Sequence, residues 1–141
     1  MMNKIFFIAV LSSAVISCNN NTKTAADNKV VDNKIALRSD TVNIVKIKDS
    51  LVIYESTCRG CAYEASTNFA ISDSMNIIKL LNVITTDNNP AGMAGGNVSK
   101  DLILVPEKPG ITIIKMYKFL KQEKTAADSS RFTSYRIEVK Q

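Results

Sequence analysis

Histidine is absent from this chain of 141 residues, and its absence removes the commonest routes to enzyme catalysis. Without an imidazole, a serine or cysteine nucleophile has no histidine base to activate it. No close pair of Asp or Glu residues lies in an apolar context that would tune one of them as a general acid. Glycine is scarce, and the cluster at 92–96 lacks the following Lys-Ser/Thr of a phosphate-binding loop. We therefore expect a protein that is not an enzyme and that has no catalytic residues and no cofactor.

Cysteine is scarcer still, with three residues, two of which form the segment Cys58-Arg59-Gly60-Cys61. A zinc site needs four ligands, and the chain offers too few thiolates and no imidazole, so we expect no metal site. A thioredoxin-like redox pair needs its first cysteine at a helix N-terminus, and residues 62–69 show no convincing helical pattern. A structural disulfide, or a pair of thiols that clamps the loop, is the favoured interpretation. The redox interpretation stays open.

The N-terminus has the layout of an export signal. Residues 1–4 supply a positive charge, and residues 5–16 form an apolar run of about a dozen residues. A membrane span needs roughly 20 residues, so this run fits a signal peptide instead. The segment Val15-Ile16-Ser17-Cys18 resembles the lipobox of bacterial lipoproteins, in which the cysteine is lipidated and the chain is cut before it. The alternative is an ordinary secretory signal with an incidental cysteine.

The lipobox resemblance implies a signal peptide at 1–17, lipid (a diacylglycerol, palmitate-type modification) on Cys18, and a membrane as partner. Residues 18–38 are polar and lack aromatic side chains, so we expect a flexible tether there. No acidic run follows Cys18, which favours the cell envelope at the periplasmic face of an outer membrane. Positive and negative charges are interspersed, so we expect no nucleic-acid partner.

The remaining residues, 39–141, are long enough for one domain with one core. Apolar segments bounded by turn residues predict strands at 41–47, 50–56, 98–105, 111–119 and 131–139, with a weaker candidate at 63–70. Residues 77–85 fit either a strand or a helical face. In the segment 111–119 we expect Ile111, Ile113 and Tyr117 to face inward, whereas 131–139 alternates cleanly. The pattern predicts an all-β, immunoglobulin-like sandwich of about six to eight strands.

The domain resembles the chagasin family, small β-sandwich inhibitors of papain-like cysteine peptidases. The resemblance rests on Gly92-Met93-Ala94-Gly95-Gly96, on the turn at 106–110, on the strand ending Met116-Tyr117-Lys118-Phe119-Leu120, and on Arg131-Phe132. In that family, three loops at one end of the sandwich fill and flank the peptidase cleft. The resemblance therefore implies a cysteine peptidase as partner and inhibition without chemistry.

The family's loop motifs are matched unequally. The first, Asn-Pro-Thr-Thr-Gly-Tyr, corresponds to Ser56-Thr57-Cys58-Arg59-Gly60-Cys61, with Tyr63 as a substitute for the tyrosine. The second is glycine-rich and is well kept. The third, Arg-Pro-Trp, is replaced by Lys118-Phe119-Leu120. The implied peptidase-binding residues are Thr57, Cys58, Arg59, Gly60, Gly92, Gly95, Gly96, Lys118, Phe119 and Leu120.

Among these residues, Phe119 is the expected apolar anchor, because aromatic side chains dominate interface hot spots, and Arg59 is the expected polar contact. Three structural alternatives remain. The glycines of the second loop can serve only to supply positive φ angles, residues 118–120 can be an ordinary strand end, and Cys58 and Cys61 can be purely structural. The rival function is a non-inhibitory structural or interaction lipoprotein of the envelope.

Overall fold

The computed structural model describes residues 34–121 and 123–141, which form eight β-strands and one short 3-10 turn. The predicted signal peptide, Cys18 and residues 19–33 of the tether lie outside the described residues. Within the described ranges, no helix is long and apolar enough to cross a membrane. The strands are β1 (Lys34–Ala36), β2 (Val42–Lys46), β3 (Ser50–Cys58), β4 (Asn68–Ser72), β5 (Ile78–Thr86), β6 (Asn97–Pro106), β7 (Gly110–Phe119) and β8 (Phe132–Lys140), with the 3-10 turn at Asp128–Ser130.

The strands form two four-stranded sheets. Sheet A has the order β1-β3-β6-β5, and sheet B has the order β2-β8-β7-β4. In each sheet one edge strand pairs in parallel, β1 with β3 and β2 with β8, and the other neighbours are antiparallel. This architecture confirms the predicted all-β, immunoglobulin-like sandwich.

The core lies between the sheets and is built from the inward positions of the long strands. Alternation along each strand sends every second side chain to this layer. Burying one Leu or Ile side chain contributes about 1.5–3 kcal/mol, so a layer of this size dominates the stability. The fully buried side chains at its centre include Leu51, Ile53, Leu102, Leu104, Ile114 and Ile137.

The predicted facing of β7 is wrong: Ile111, Ile113 and Tyr117 all lie on its outward side, although Tyr117 is covered there and only 7% exposed. Ile111 and Ile113 are 62% and 52% exposed, whereas Thr112 and Ile114 are buried. Thr112 can lie inside because its hydroxyl donates a hydrogen bond of 2.6 Å to the Asp73 carboxylate. In β8 the predicted alternation is confirmed, since Tyr135, Ile137 and Val139 are all buried.

The ambiguous segment 77–85 is a strand. It pairs antiparallel with β6, and the register shifts between Leu80 and Asn82. This irregularity leaves Leu81 58% exposed and breaks the simple alternation of the sequence pattern. The shift explains why the same residues also matched a helical face.

The sandwich includes residues that the sequence had assigned to the tether. β1 pairs with β3 through Lys34, Ile35 and Ala36. Leu37 is buried in the main core cluster, and its N–H donates to the carbonyl of Val52 at 2.9 Å. The folded part of the chain therefore begins before residue 39.

The strand pairing brings three connections to one end of the molecule. In sheet A the end of β3 lies beside the start of β6, and the end of β5 lies there too. In sheet B the end of β7 meets the starts of β4 and β8. The β3–β4, β5–β6 and β7–β8 connections, residues 59–67, 87–96 and 120–131, are called the first, second and third loops below.

Candidate functional site

Each of the three loops presents one large apolar side chain to solvent. Tyr63 of the first loop is 57% exposed, Met93 of the second is 50% exposed, and Leu120 of the third is 48% exposed. Tyr63 and Leu120 line the same cavity, so their apolar surfaces adjoin, and adjoining exposed apolar groups are candidates for an interaction surface. We call these three residues the apolar tips.

Arg59 joins the first loop to the second. Its backbone N–H donates to the carbonyl of Gly96 at 2.9 Å. In its guanidinium, Nη1 donates to the carbonyl of Met93 at 2.6 Å, and Nε lies 2.8 Å from a carboxylate oxygen of Asp87. The side chain is 24% exposed. The expected role of Arg59 as the main polar contact stays a prediction, but in this conformation the guanidinium is occupied within the molecule.

Asp87 is held as an anion at the base of the second loop. Hydrogen bonds from the backbone N–H and then the side-chain amide of Asn89 lower the pKa of Asp87, and the charge of Arg59 lowers it further. The Asn89 amide also donates to the carbonyl of Asn97 at 2.8 Å. The second loop is thus closed on itself and attached to Arg59 through one carboxylate.

The first and third loops are also joined. The Ser66 hydroxyl donates to the carbonyl of Leu120 at 2.8 Å, and the Asn68 amide donates to the carbonyl of Lys121 at 3.3 Å. Leu120 therefore has its backbone held while its side chain remains exposed. An apolar group on a fixed backbone loses less entropy on binding than one on a free loop.

Lys118 faces the space between the sheets. Its ammonium lies 3.1 Å from the Glu55 carboxylate and donates to the carbonyl of Ser56, both on β3 of the opposite sheet. The Lys118 side chain is 37% exposed. This ion pair closes the loop end of the sandwich, and it places the cation that resembled the family's third-loop arginine beside a carboxylate of its own chain.

Phe119 was the expected apolar anchor, but it is not exposed at a loop tip. Phe119 is the last residue of β7 and is 6% exposed, as is Tyr117 at 7% two positions earlier. Both lie on the face of β7 opposite to Met116 and Ile114, and neither belongs to the main core cluster. The neighbouring Tyr117 is covered by Phe132 of β8, with 5.7 Å between the rings, and by Lys124 of the third loop, whose ammonium lies 3.9 Å from the Tyr117 ring. Phe119 is therefore a packing residue.

Cys58 and Cys61 form a disulfide, as the favoured interpretation predicted, with 5.7 Å between their Cα atoms. The residues that follow form turns instead of a helix, so the pair lacks the helix N-terminus on which a thioredoxin-like redox site is built. The Gly60 N–H donates to the Glu64 carboxylate at 2.5 Å and closes the same turn. The disulfide gives the first loop its local shape.

Thr57 was expected among the peptidase-binding residues, but its side chain is buried. It is 4% exposed, and its hydroxyl has no hydrogen-bond partner within the described part of the chain. It lines a cavity of about 140 Å³ between the first and third loops, together with Cys58, Cys61, Tyr63 and Leu120. Thr57 lies beneath the loop surface and does not form part of it.

The glycines of the second loop have the positive φ angles that the structural alternative required. Gly92, Gly95 and Gly96 have φ values of +82°, +80° and +96°. At Gly96 a Cβ atom would also lie 2.6 Å from the Asn89 side-chain oxygen. Contact with a partner remains a prediction for these residues, but the backbone requires glycine at Gly96 in any case.

Sequence reasoning underestimated two of the three apolar tips. Met93 lies inside the glycine-rich segment, where only the glycines were singled out, and Tyr63 entered only as a substitute for a missing tyrosine. The sequence signal that could have identified both residues is a single large apolar side chain among turn-forming residues, which indicates an exposed apolar group on a loop. Among the described residues, no group of three or more acidic or cysteine side chains is placed to hold a metal ion.

Comparison of the sequence with protein-family models and with curated proteins finds no match. Comparison of the structure with solved structures finds EhICP2, a cysteine protease inhibitor from Entamoeba histolytica, with a TM-score of 0.54 and 19% identity over 77% of this chain and 95% of that one. Amebosin matches with a TM-score of 0.54 and 13% identity over 76% of this chain and 98% of that one. The chain thus has the chagasin-like fold that its sequence resemblance implied.

Proposed function

We propose that this protein binds a papain-like cysteine peptidase with the three-loop end of its sandwich and blocks the active-site cleft. The observation that carries the proposal is the set of apolar tips, Tyr63, Met93 and Leu120, one on each loop at the same end of the fold. A solved protein with this fold, EhICP2, is a cysteine protease inhibitor. Inhibition needs no reaction in this scheme, only occupation of the cleft.

The loops are suited to such binding because their backbones are fixed before the partner arrives. Arg59 holds the second loop through Asp87 and the carbonyl of Met93, and Ser66 holds the third loop through Leu120. The disulfide limits the first loop. A preorganised loop retains more of its contact energy as affinity, because less is lost in ordering it.

The direct test is a titration of papain and related peptidases with the full-length chain in detergent, following cleavage of a peptide substrate. We expect inhibition that competes with substrate. Met93→Ala should weaken it by about 1–3 kcal/mol, the range of an interface hot spot. Met75→Ala is the matched control, because Met75 is also an exposed methionine, at 59%, but lies in the β4–β5 turn at the other end.

A folded chain that inhibits none of these peptidases at micromolar concentration would contradict the proposal. The alternative function, a non-inhibitory interaction protein of the envelope, would then be favoured. One observation already supports that alternative: Lys118 and Phe119, in the loop motif that departs most from the family, are used for internal contacts. In that case the fold would have been kept and inhibition lost.

We also propose that lipid on Cys18 anchors the protein in the cell envelope, at the periplasmic face of an outer membrane. The support is the lipobox-like Val15-Ile16-Ser17-Cys18 behind an apolar run of signal-peptide length. Labelling of cells with a tagged palmitate should mark the wild-type protein and leave Cys18→Ala unmarked. Absence of label from the wild type would remove the lipid anchor from the proposal, and density fractionation of the membranes would test its location.

A further inference from the structure

The outer face of sheet B carries aliphatic side chains in two neighbouring cross-strand rows. Four of them, Val42, Ile44, Ile111 and Ile113, are between 42% and 62% exposed. The register of β2, β8 and β7 places Arg136 between Val42 and Ile113, and Glu138 between Ile44 and Ile111. These four aliphatic residues are called the outer apolar face below. In each row the two aliphatic side chains flank a charged one, so the face alternates exposed aliphatic and charged groups, an arrangement typical of amphipathic contact surfaces.

The charges around the outer apolar face are mostly positive. Outward positions on β2, β7 and β8 carry the exposed cations Lys46, Lys115, Arg136 and Lys140. On the same side of these three strands the one carboxylate is Glu138, which lies 3.8 Å from the Lys140 ammonium. The face therefore has an excess of three positive charges, out of a formal net charge of +5 for the whole chain.

The outer face of sheet A lacks this combination. Its exposed apolar residues include Tyr54 and Ile84, and the register places Asp101 between them. The cations Lys34 and Lys79 on this side are balanced by Asp101 and by Glu107, whose carboxylate lies 3.5 Å from the Lys79 ammonium. Sheet A therefore has no excess charge to attract an anionic surface, whereas the cations of sheet B would be attracted to one. The two faces of one sandwich thus differ in the partner that they favour.

We propose that the outer apolar face docks onto the headgroup region of a bilayer that contains anionic lipid. Lysine and arginine side chains near such a surface are attracted to its negative potential, and aliphatic side chains between them enter the boundary of the acyl region. A second copy of the chain is a poorer occupant, because two faces that each carry an excess of three positive charges would repel. Docking through this face leaves the three loops at the end of the sandwich uncovered.

The experiment uses the absence of tryptophan from the chain. Ile113→Trp places a fluorescent reporter on the outer apolar face, and Ile84→Trp places a control on sheet A. Each full-length variant is added to phosphatidylcholine vesicles with or without phosphatidylglycerol, some of them made with brominated acyl chains. With phosphatidylglycerol present, the Ile113→Trp emission should shift to shorter wavelength and be quenched by bromine, and the Ile84→Trp emission should do neither. Raised salt should reverse the change, since it screens exposed charges.

Equal responses of the two reporters, or no response of Ile113→Trp, would overturn the proposal. A shift of Ile113→Trp that needs no vesicles and grows with protein concentration would also overturn it, because a second copy would then be the occupant. Circular dichroism checks that each variant is folded, and Ile111→Trp replaces Ile113→Trp on the same face if that variant fails to fold. None of these outcomes depends on peptidase inhibition or on lipid at Cys18.

Discussion

The two ends of the sandwich are built in different ways. At the end opposite the three loops, the β4–β5 turn is closed by a single carboxylate: Asp73 accepts from the N–H groups of Met75, Ile77 and Ile78 and from the Thr112 hydroxyl, at 2.6–2.9 Å. At the loop end, the contacts are spread over Arg59, Ser66, Asn68 and Lys118, and apolar tips remain exposed. One end is closed by a partly buried hydrogen-bond network, and the other keeps apolar side chains exposed.

This difference separates stability from recognition within one fold. A carboxylate that accepts several hydrogen bonds stabilises the turn, and removing it leaves donors without partners. At the loop end the same kind of contact fixes backbones while their side chains stay free to meet a partner. Substitutions in the Asp73 network should therefore change mainly the free energy of unfolding, whereas substitutions of exposed loop residues should change mainly binding.

The largest effect on stability should come from Phe119, which lies at the loop end but is buried like a core residue. Phe119→Ala should lower the free energy of unfolding by about 3–5 kcal/mol, because the substitution removes a buried aromatic ring. Leu120→Ala, the adjacent exposed residue, is the matched control and should cost little stability. Urea denaturation followed by circular dichroism measures both. Equal stability of the two variants would contradict the assignment of Phe119 to packing.

The next effect should come from Asp73. Asp73→Asn should lower the free energy of unfolding by about 2–3 kcal/mol, because an amide cannot replace a carboxylate that accepts from four donors. Asp40→Asn is the control, since Asp40 is exposed and its ion pair with Arg38 lies at the surface. An Asp73→Asn variant as stable as Asp40→Asn would show that the network at this end contributes little.

Asp73 also makes the stability depend on pH. Partial burial alone would raise the pKa of Asp73, but hydrogen bonds from Thr112 and from the backbone of Ile78, Met75 and Ile77 together lower it. A carboxyl whose folded-state pKa is lowered stabilises the protein above its ordinary pKa of about 3.9, and this stabilisation is lost as pH falls through the folded-state pKa. The stability difference between wild type and Asp73→Asn should shrink as pH falls below about 4.

The fold could be predicted from the sequence wherever residue type and alternation agree. In β8 the apolar residues occur at every second position, so both the strand and its inward face were predicted. In β7 the run Ile111-Thr112-Ile113-Ile114 is β-forming at every position, so residue type did not select the face. The distant Asp73 decides it by binding the Thr112 hydroxyl.

The candidate site was less predictable, because its side chains are placed by contacts between distant loops. The resemblance located the three loops, and a disulfide was one part of the favoured interpretation of the Cys58–Cys61 spacing. The outward side of β7 is covered in part by Lys124 of the third loop, which lies over Tyr117, and the internal use of Arg59 depends on Asp87 of the second loop. Neither contact leaves a periodic signal in the sequence.

A smaller effect should follow from removing the disulfide. The double variant Cys58→Ser/Cys61→Ser should be less stable by about 1–2 kcal/mol, because so short a loop restricts the unfolded chain only slightly. Its main effect should be local: chymotrypsin should cleave after Tyr63 faster than in the oxidised wild type. Reduction of the wild type with dithiothreitol should reproduce the faster cleavage. Unchanged cleavage in both cases would mean that the first loop is shaped by its hydrogen bonds alone.

The smallest effect on stability should come from Arg59, although its effect on binding should be larger. Arg59 and Asp87 are partly exposed, and water screens such a pair, so it should contribute little to folding. A double-mutant cycle of Arg59→Ala with Asp87→Ala should show only a small favourable coupling in urea denaturation. Since Arg59 also holds the carbonyl of Met93, Arg59→Ala should free the second loop, speed amide hydrogen exchange at 91–95, and weaken peptidase inhibition about as much as Met93→Ala.

Lysine is the informative replacement, because Arg59→Lys keeps the positive charge but cannot bind the Met93 carbonyl and the Asp87 carboxylate at the same time. If these two contacts matter more than the charge, Arg59→Lys should change hydrogen exchange and inhibition as much as Arg59→Ala does. If Arg59→Ala weakens inhibition without faster exchange in the second loop, Arg59 contacts the peptidase directly, as its position in the first loop originally suggested.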